Sequence, residues 1–121
     1  MSKAARSVQV FGVYLIGTAL VLITAPNVLL GLLRIAPATE PWIRVLGVVV
    51  AVLGAYYVAA ARAELVPFLR ATVWGRAMAL VGFVCLAALS WAPPMIVAFG
   101  VVDALGALWT WSALRSPGKA A

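Results

Sequence analysis

The 121-residue chain has no histidine, one cysteine and only three acidic residues. Without histidine it lacks the usual ligand of haem and catalytic zinc, and the usual acid–base group at neutral pH. A single Cys85 allows neither an internal disulfide nor a Cys-x-x-Cys pair. That excludes dithiol chemistry within one chain and reads as a buried, inert thiol. The acids Glu40, Glu64 and Asp103 are scattered, so neither a metal site nor a carboxylate pair for acid–base catalysis is expected, and no cofactor is indicated. Polar connections are scarce too. The longest is the segment 62–71, which leaves no room for a soluble domain.

What is present is apolar surface. Hydrophobic residues make up 66% of the chain and mean hydropathy is +1.14. Four apolar stretches, 8–25, 42–61, 72–91 and 95–114, have about the 20 residues that an α-helix needs to cross a bilayer. The expectation is an all-α, integral membrane four-helix bundle forming one domain over 1–121. Lys3 and Arg6 precede the first stretch, but its length and the following Pro26 suit a retained helix better than a cleaved signal. The apolar run 28–35 is too short to span and is expected as a short interfacial helix after helix 1.

The net charge of +6 marks orientation rather than nucleic-acid binding. Lys3, Arg6, Arg62, Arg70, Arg76, Arg115 and Lys119 fall at the chain ends and in the middle connection. By the positive-inside rule this predicts both termini and the middle loop on the cytoplasmic side, with the cations facing anionic lipid head groups. All five tryptophans lie near expected helix ends: Trp42 and Trp91 at the outer face, Trp74, Trp109 and Trp111 at the inner face.

Small residues recur on the second spanning stretch at Gly47, Ala51, Ala55 and Ala59, and on the fourth at Gly100, Ala104 and Ala107. Such stripes let helices approach closely in lipid, so these two helices are expected to touch, or to serve a homo-oligomer. Alignment of Gly47 with Gly100, Ala51 with Ala104 and Arg62 with Arg115 hints at two related hairpins.

Asp103 is the one acid inside an apolar stretch. An intramembrane acid is a functional candidate with a partner to be found. Arg44, entering from the same side, is the expected ion-pair partner. The alternatives are a proton, cation or ligand site at Asp103, or a neutral Asp103 bonded to Thr18 or a backbone carbonyl. Tyr14, Tyr56, Tyr57 and Trp109, with Thr110 beside them, fall at similar depths and form a possible lipid or quinone pocket. Glu64, flanked by Arg62, Arg70 and Arg76, is expected to make a rim ion pair.

The run Trp42-Ile43-Arg44-Val45-Leu46-Gly47, then Gly54-Ala55-Tyr56-Tyr57, Ala60-Ala61-Arg62, Pro67-Phe68, Gly100-Val101-Val102-Asp103 and Leu108-Trp109-Thr110 resembles small bacterial four-helix membrane proteins of the broad DoxX-like type. The resemblance implies a four-helix bundle, sometimes working beside redox partners, and carries over no catalytic residue. The functional expectation is a non-enzymatic accessory or scaffold subunit, packed against other integral membrane subunits and surrounded by membrane lipids. The alternatives are a small proton, cation or apolar-ligand carrier using Asp103, and a quinone- or lipid-binding subunit.

Overall fold

The computed structural model describes residues 1–115; Lys119 lies outside them. The described residues are helical: α1 (Lys3–Thr24), α2 (Pro26–Leu32), α3 (Trp42–Arg62), α4 (Val66–Ala88), a 3₁₀ turn (Pro94–Ile96) and α5 (Val97–Arg115). Four helices are long and apolar enough to cross a membrane: α1, α3, α4, and α5 with its 3₁₀ turn. The seven-residue α2 occupies the place expected of the short interfacial helix.

Two helices begin earlier than hydropathy alone implies. The Ser2 hydroxyl caps α1, accepting the Ala5 N–H at 3.1 Å. In α4, Pro67 sits in the first turn, where its missing N–H leaves nothing unsatisfied. Arg70 is therefore helical and not part of the connection, and Arg76, counted with the connection cations but inside the expected stretch 72–91, lies well within α4. The three helices α2, α3 and α4 end alike. Arg34, Glu64 and Ser90 take positive φ angles of 58°, 54° and 59°. The next residue's N–H then returns to the last turn, as in Ile35 to Leu30, Leu65 to Ala60 and Trp91 to Leu86.

Each hairpin packs on itself: α1 lies against α3 and α4 against α5, while α1 and α5 join the pairs. The helices α3 and α4 touch little, and the Tyr57–Phe68 ring pair, 5.6 Å apart, is one of their contacts. The expected contact between the second and fourth spans is thus corrected: α3 docks on α1. Its buried seam is Gly47, Gly54, Tyr57 and Ala61, whereas Ala55 and Ala59 are exposed. The spacing explains it, since a seven-residue step stays on the seam of a long crossing and a four-residue row drifts off it. The aligned pair Gly47 and Gly100 share a role, each lying at a close approach within its own hairpin. A Cβ on Gly47 would meet Leu22 Cβ at 3.0 Å, and one on Gly100 would meet Leu80 Cα at 2.9 Å.

The tightest approach of α1 and α3 is Gly12 over Gly54. A Cβ on Gly54 would lie 2.9 Å from the Gly12 carbonyl oxygen, and one on Gly12 3.0 Å from that of Gly54. Backbone cannot yield as a side chain can. Gly54→Ala should destabilise the bundle by about 1–3 kcal/mol in denaturant titrations in micelles. Gly82→Ala, with open space around it inside α4, should instead raise the midpoint slightly, since alanine favours a helix interior by up to about 1 kcal/mol over glycine.

At the terminal end, Glu64 accepts the Ser2 backbone N–H at 2.7 Å and lies 4.0 Å from the Met1 amino group. The expected rim pairing with Arg62, Arg70 and Arg76 is replaced by this link, because Glu64 turns toward the start of α1 while Arg76 lies inside the bundle. Hydrogen bonds from the Ser2 side chain and backbone hold the Glu64 carboxyl below the usual carboxylate range. The folded protein therefore gives up this proton more readily than the unfolded chain. The link stabilises above the ordinary carboxylate value and is lost as pH falls through the lowered one. The protection factor of the Ser2 amide, exchange corrected for its intrinsic pH dependence, should hold through mildly acidic pH and fall below it, and Glu64→Ala should lack the protection throughout.

Candidate functional site

At the centre of the terminal half lies Arg76, ten residues past the start of α4, about 15 Å along the helix axis. It is 2% exposed. Its Nε donates to the Thr72 carbonyl at 3.1 Å, and Nη2 donates to the Thr72 hydroxyl at 3.0 Å and the Thr110 hydroxyl at 2.7 Å. Both threonines accept because their own protons go elsewhere. The Thr72 hydroxyl donates to the Leu69 carbonyl at 2.7 Å. Thr110 lies 2.7 Å from the Ser7 hydroxyl, whose proton goes to the Ala4 carbonyl. The donors run in one direction, Arg76 to Thr110 to Ser7 to Ala4, tying α4 to α5 and α1.

The guanidinium lies over the Phe11 ring at 4.8 Å, with the Tyr57 ring at 6.0 Å. Its Nη1 has no hydrogen-bond partner among the described residues and lies beside Gly106, where a Cβ would stand 3.0 Å away. Asp103 shares the α5 face of Gly106 and Thr110 by helical spacing, so it lies on the side of α5 turned toward Arg76, with no ion pair between the two among the described residues. Counting Arg76 among the connection cations missed this. The signal was available: Pro67 marks a helix start, and Thr72 precedes Arg76 by one turn.

Asp103 also faces the other way. Beyond it, in the half of the bundle away from the termini, a cavity of about 360 Å³ lies among all five helices. Leu22, Leu30, Ile43, Val50, Phe83 and Phe99 supply apolar wall, and the polar lining side chains are Tyr14, Thr18 and Asp103. Tyr14 and Thr18 are one turn apart on α1, so the hydroxyls and the carboxyl gather on its inner side. The volume falls within the ~300–1,000 Å³ of small-molecule pockets. Helix α2 covers the far end with Leu29 and Leu30, and α3 and α4, which touch little, both contribute to the cavity walls.

Several expected groupings are not formed. Arg44 donates through Nη1 to the Ile23 carbonyl, and the Arg44–Asp103 ion pair is absent among the described residues. The physical reason is local: Ile23 lies in the last turn of α1, where carbonyls lack helical partners and attract arginine. The pocket expected from Tyr14, Tyr56, Tyr57, Trp109 and Thr110 is dispersed. Tyr56 and Trp109 are 62% and 48% exposed and point out of the bundle. Tyr57 packs on Phe11 and Phe68, Thr110 serves Arg76, and Tyr14 alone lines the cavity. Neighbours such as Tyr56 and Tyr57 stand about 100° apart on a helix, so shared depth did not imply a shared face. Cys85, expected buried, is exposed on α4.

No family model, curated protein or solved structure matches the chain.

Hydrogen bonds to a buried charge contribute about 1.5–3 kcal/mol each. Thr110→Val keeps the shape but deprives Arg76 and Ser7 of a partner, so unfolding should become easier by about 2–4 kcal/mol. Ser7→Ala, which leaves the Arg76 bonds intact, should change stability by about 1 kcal/mol. Equilibrium unfolding in mixed micelles checks both.

Proposed function

We propose that this chain is a multi-pass membrane protein that binds a lipid-soluble molecule in the cavity, with the molecule's polar end against Asp103. The observation that carries this reading is the cavity's asymmetry: its walls are apolar, and its few polar side chains, Tyr14, Thr18 and Asp103, converge at one end. Such a site suits an apolar body bearing a hydrogen-bond donor, such as a hydroxyl or an amine. Entry runs sideways, between α3 and α4, from the hydrocarbon. Arg76 stands behind Asp103 as a fixed counter-charge that keeps an intramembrane acid tolerable. The bundle crosses the bacterial inner membrane with both termini in the cytoplasm. The role is non-enzymatic: storage, presentation or carriage of the molecule. The DoxX-like resemblance, with its redox neighbours, suits a quinone-like or other membrane-soluble ligand.

A second reading, an accessory subunit packed laterally against a larger membrane complex or a second copy of the chain, draws on α4. Gly75 and Gly82 have open space where a Cβ would stand, and α4 is the least buried of the four long helices. Another helix can approach that face closely.

Binding of dodecanol, dodecylamine and dodecane to the full chain in nanodiscs tests the first reading. Dodecanol and dodecylamine should bind at least about tenfold more tightly than dodecane, the equivalent of one hydrogen bond to a charged group. Val50→Trp should abolish binding of all three by filling the cavity, while Asp103→Asn should erase the preference for the amine. Equal affinity for the three probes, or binding indifferent to Val50→Trp, would sink the ligand-site reading and favour the accessory role.

A further inference from the structure

A pair of hollows lies on the outside of the α4–α5 hairpin, away from the cavity. At the terminal end is a slot of about 300 Å³ lined by Arg70, Val73, Trp74, Trp111, Leu114 and Arg115. It holds two guanidinium groups, one from each helix, and no acidic side chain lines it among the described residues. The Arg115 guanidinium rests 4.4 Å above the Trp111 ring, which limits its freedom and presents its donors at the slot.

This slot is continuous with an apolar groove of about 550 Å³ that runs up the same seam and shares Val73, Trp74 and Trp111 with it. Small residues make the floor of the groove, Ala77 on α4 and Ala104 and Ala107 on α5, between the flanking Val81 and Leu108. From Val73 to Val81 the groove is about 12 Å long, against ~15 Å for one leaflet of hydrocarbon. Trp74 and Trp111 stand where slot and groove meet. That is where amphipathic rings sit at the boundary of head groups and chains.

Charge, neck and groove follow one another in the order of a phospholipid. We infer that the α4–α5 seam is a specific site for one anionic glycerophospholipid. Its phosphate lies between Arg70 and Arg115, its glycerol at the two tryptophans, and one acyl chain in the groove. The two features are independent, since cations alone would attract any anion and a groove alone would accept any lipid tail. Together they select a lipid that carries net negative charge. The site uses none of the cavity's residues and stands whether or not the cavity binds a ligand.

The test is native mass spectrometry of the full chain released from maltoside micelles after titration with palmitoyl-oleoyl phosphatidylglycerol or phosphatidylcholine. The wild type should retain one phosphatidylglycerol with about tenfold or greater preference over phosphatidylcholine, as two cations at a membrane surface provide. Arg70→Gln with Arg115→Gln, both at exposed positions, should bring phosphatidylglycerol down to the level of phosphatidylcholine without changing helicity. Ala104→Leu should weaken retention of both lipids by crowding the groove. Arg34→Gln, a control at the far end of the bundle, should change nothing. Four results would overturn the assignment: equal retention of both lipids by the wild type, an unaltered preference in the double variant, an equal loss in the control, or displacement of phosphatidylglycerol by inorganic phosphate at matched concentration. The last would leave an anion site without a lipid.

Discussion

The constraint on which the rest of the bundle depends is the burial of one guanidinium. Arg76 sits where α4, α5 and α1 meet, inside a protein made almost entirely of hydrocarbon. An arginine inside a spanning helix is costly, about 2.5–3.5 kcal/mol at the helix centre even by the mildest measures. Here the charge is met by two threonine hydroxyls, one carbonyl and the faces of Phe11 and Tyr57. Each hydroxyl accepts from the guanidinium while its own proton goes to a carbonyl or another hydroxyl. The network therefore fixes the rotation of three helices at once.

That rotation also places Asp103. Thr110 faces Arg76, so Gly106 and Asp103, at successive turns of the same α5 face, must face inward too. Gly106 leaves room for the guanidinium, and Asp103 comes to lie between the cation and the cavity. The acid is thus a consequence of the network as well as a neighbour of it. It has a counter-charge on one side and an apolar hollow on the other, a different arrangement from a sealed ion pair. A structural lock would bury both charges against each other, whereas here the carboxyl still lines an open volume.

The two hairpins divide the work. The α1–α3 pair is closed by backbone-to-backbone contact at Gly12 and Gly54, which leaves the far end of that pair free to wall the cavity. The α4–α5 pair presents arginines and tryptophans to its outer face, where a lipid can lie. Contact between α3 and α4 is weak, so the two hairpins meet chiefly through α1 and α5.

Hydropathy, tryptophan placement and proline punctuation were enough to read four long apolar helices and a short one after the first, because these are properties of composition and of sequence-local chemistry. The unusual acid, Asp103, was also legible, since one carboxylate in an apolar run is conspicuous in a single sequence. What could not be read was which face of each helix turns inward. Arg44 and Asp103 lay at compatible depths, yet Arg44 found a free carbonyl at the end of α1 first. Arg76 was counted with the connection cations although it lies inside the 72–91 stretch, because charge was read for orientation and not for the face of the helix it occupies. Helix content depends on near neighbours in the chain, but pairing depends on azimuth, which is set by contacts between residues as distant as Ser7 and Thr110. The sequence alone therefore determined an all-helical chain with four segments able to cross a membrane, and only the packed structure decided which charge is buried, what satisfies it and where the cavity lies.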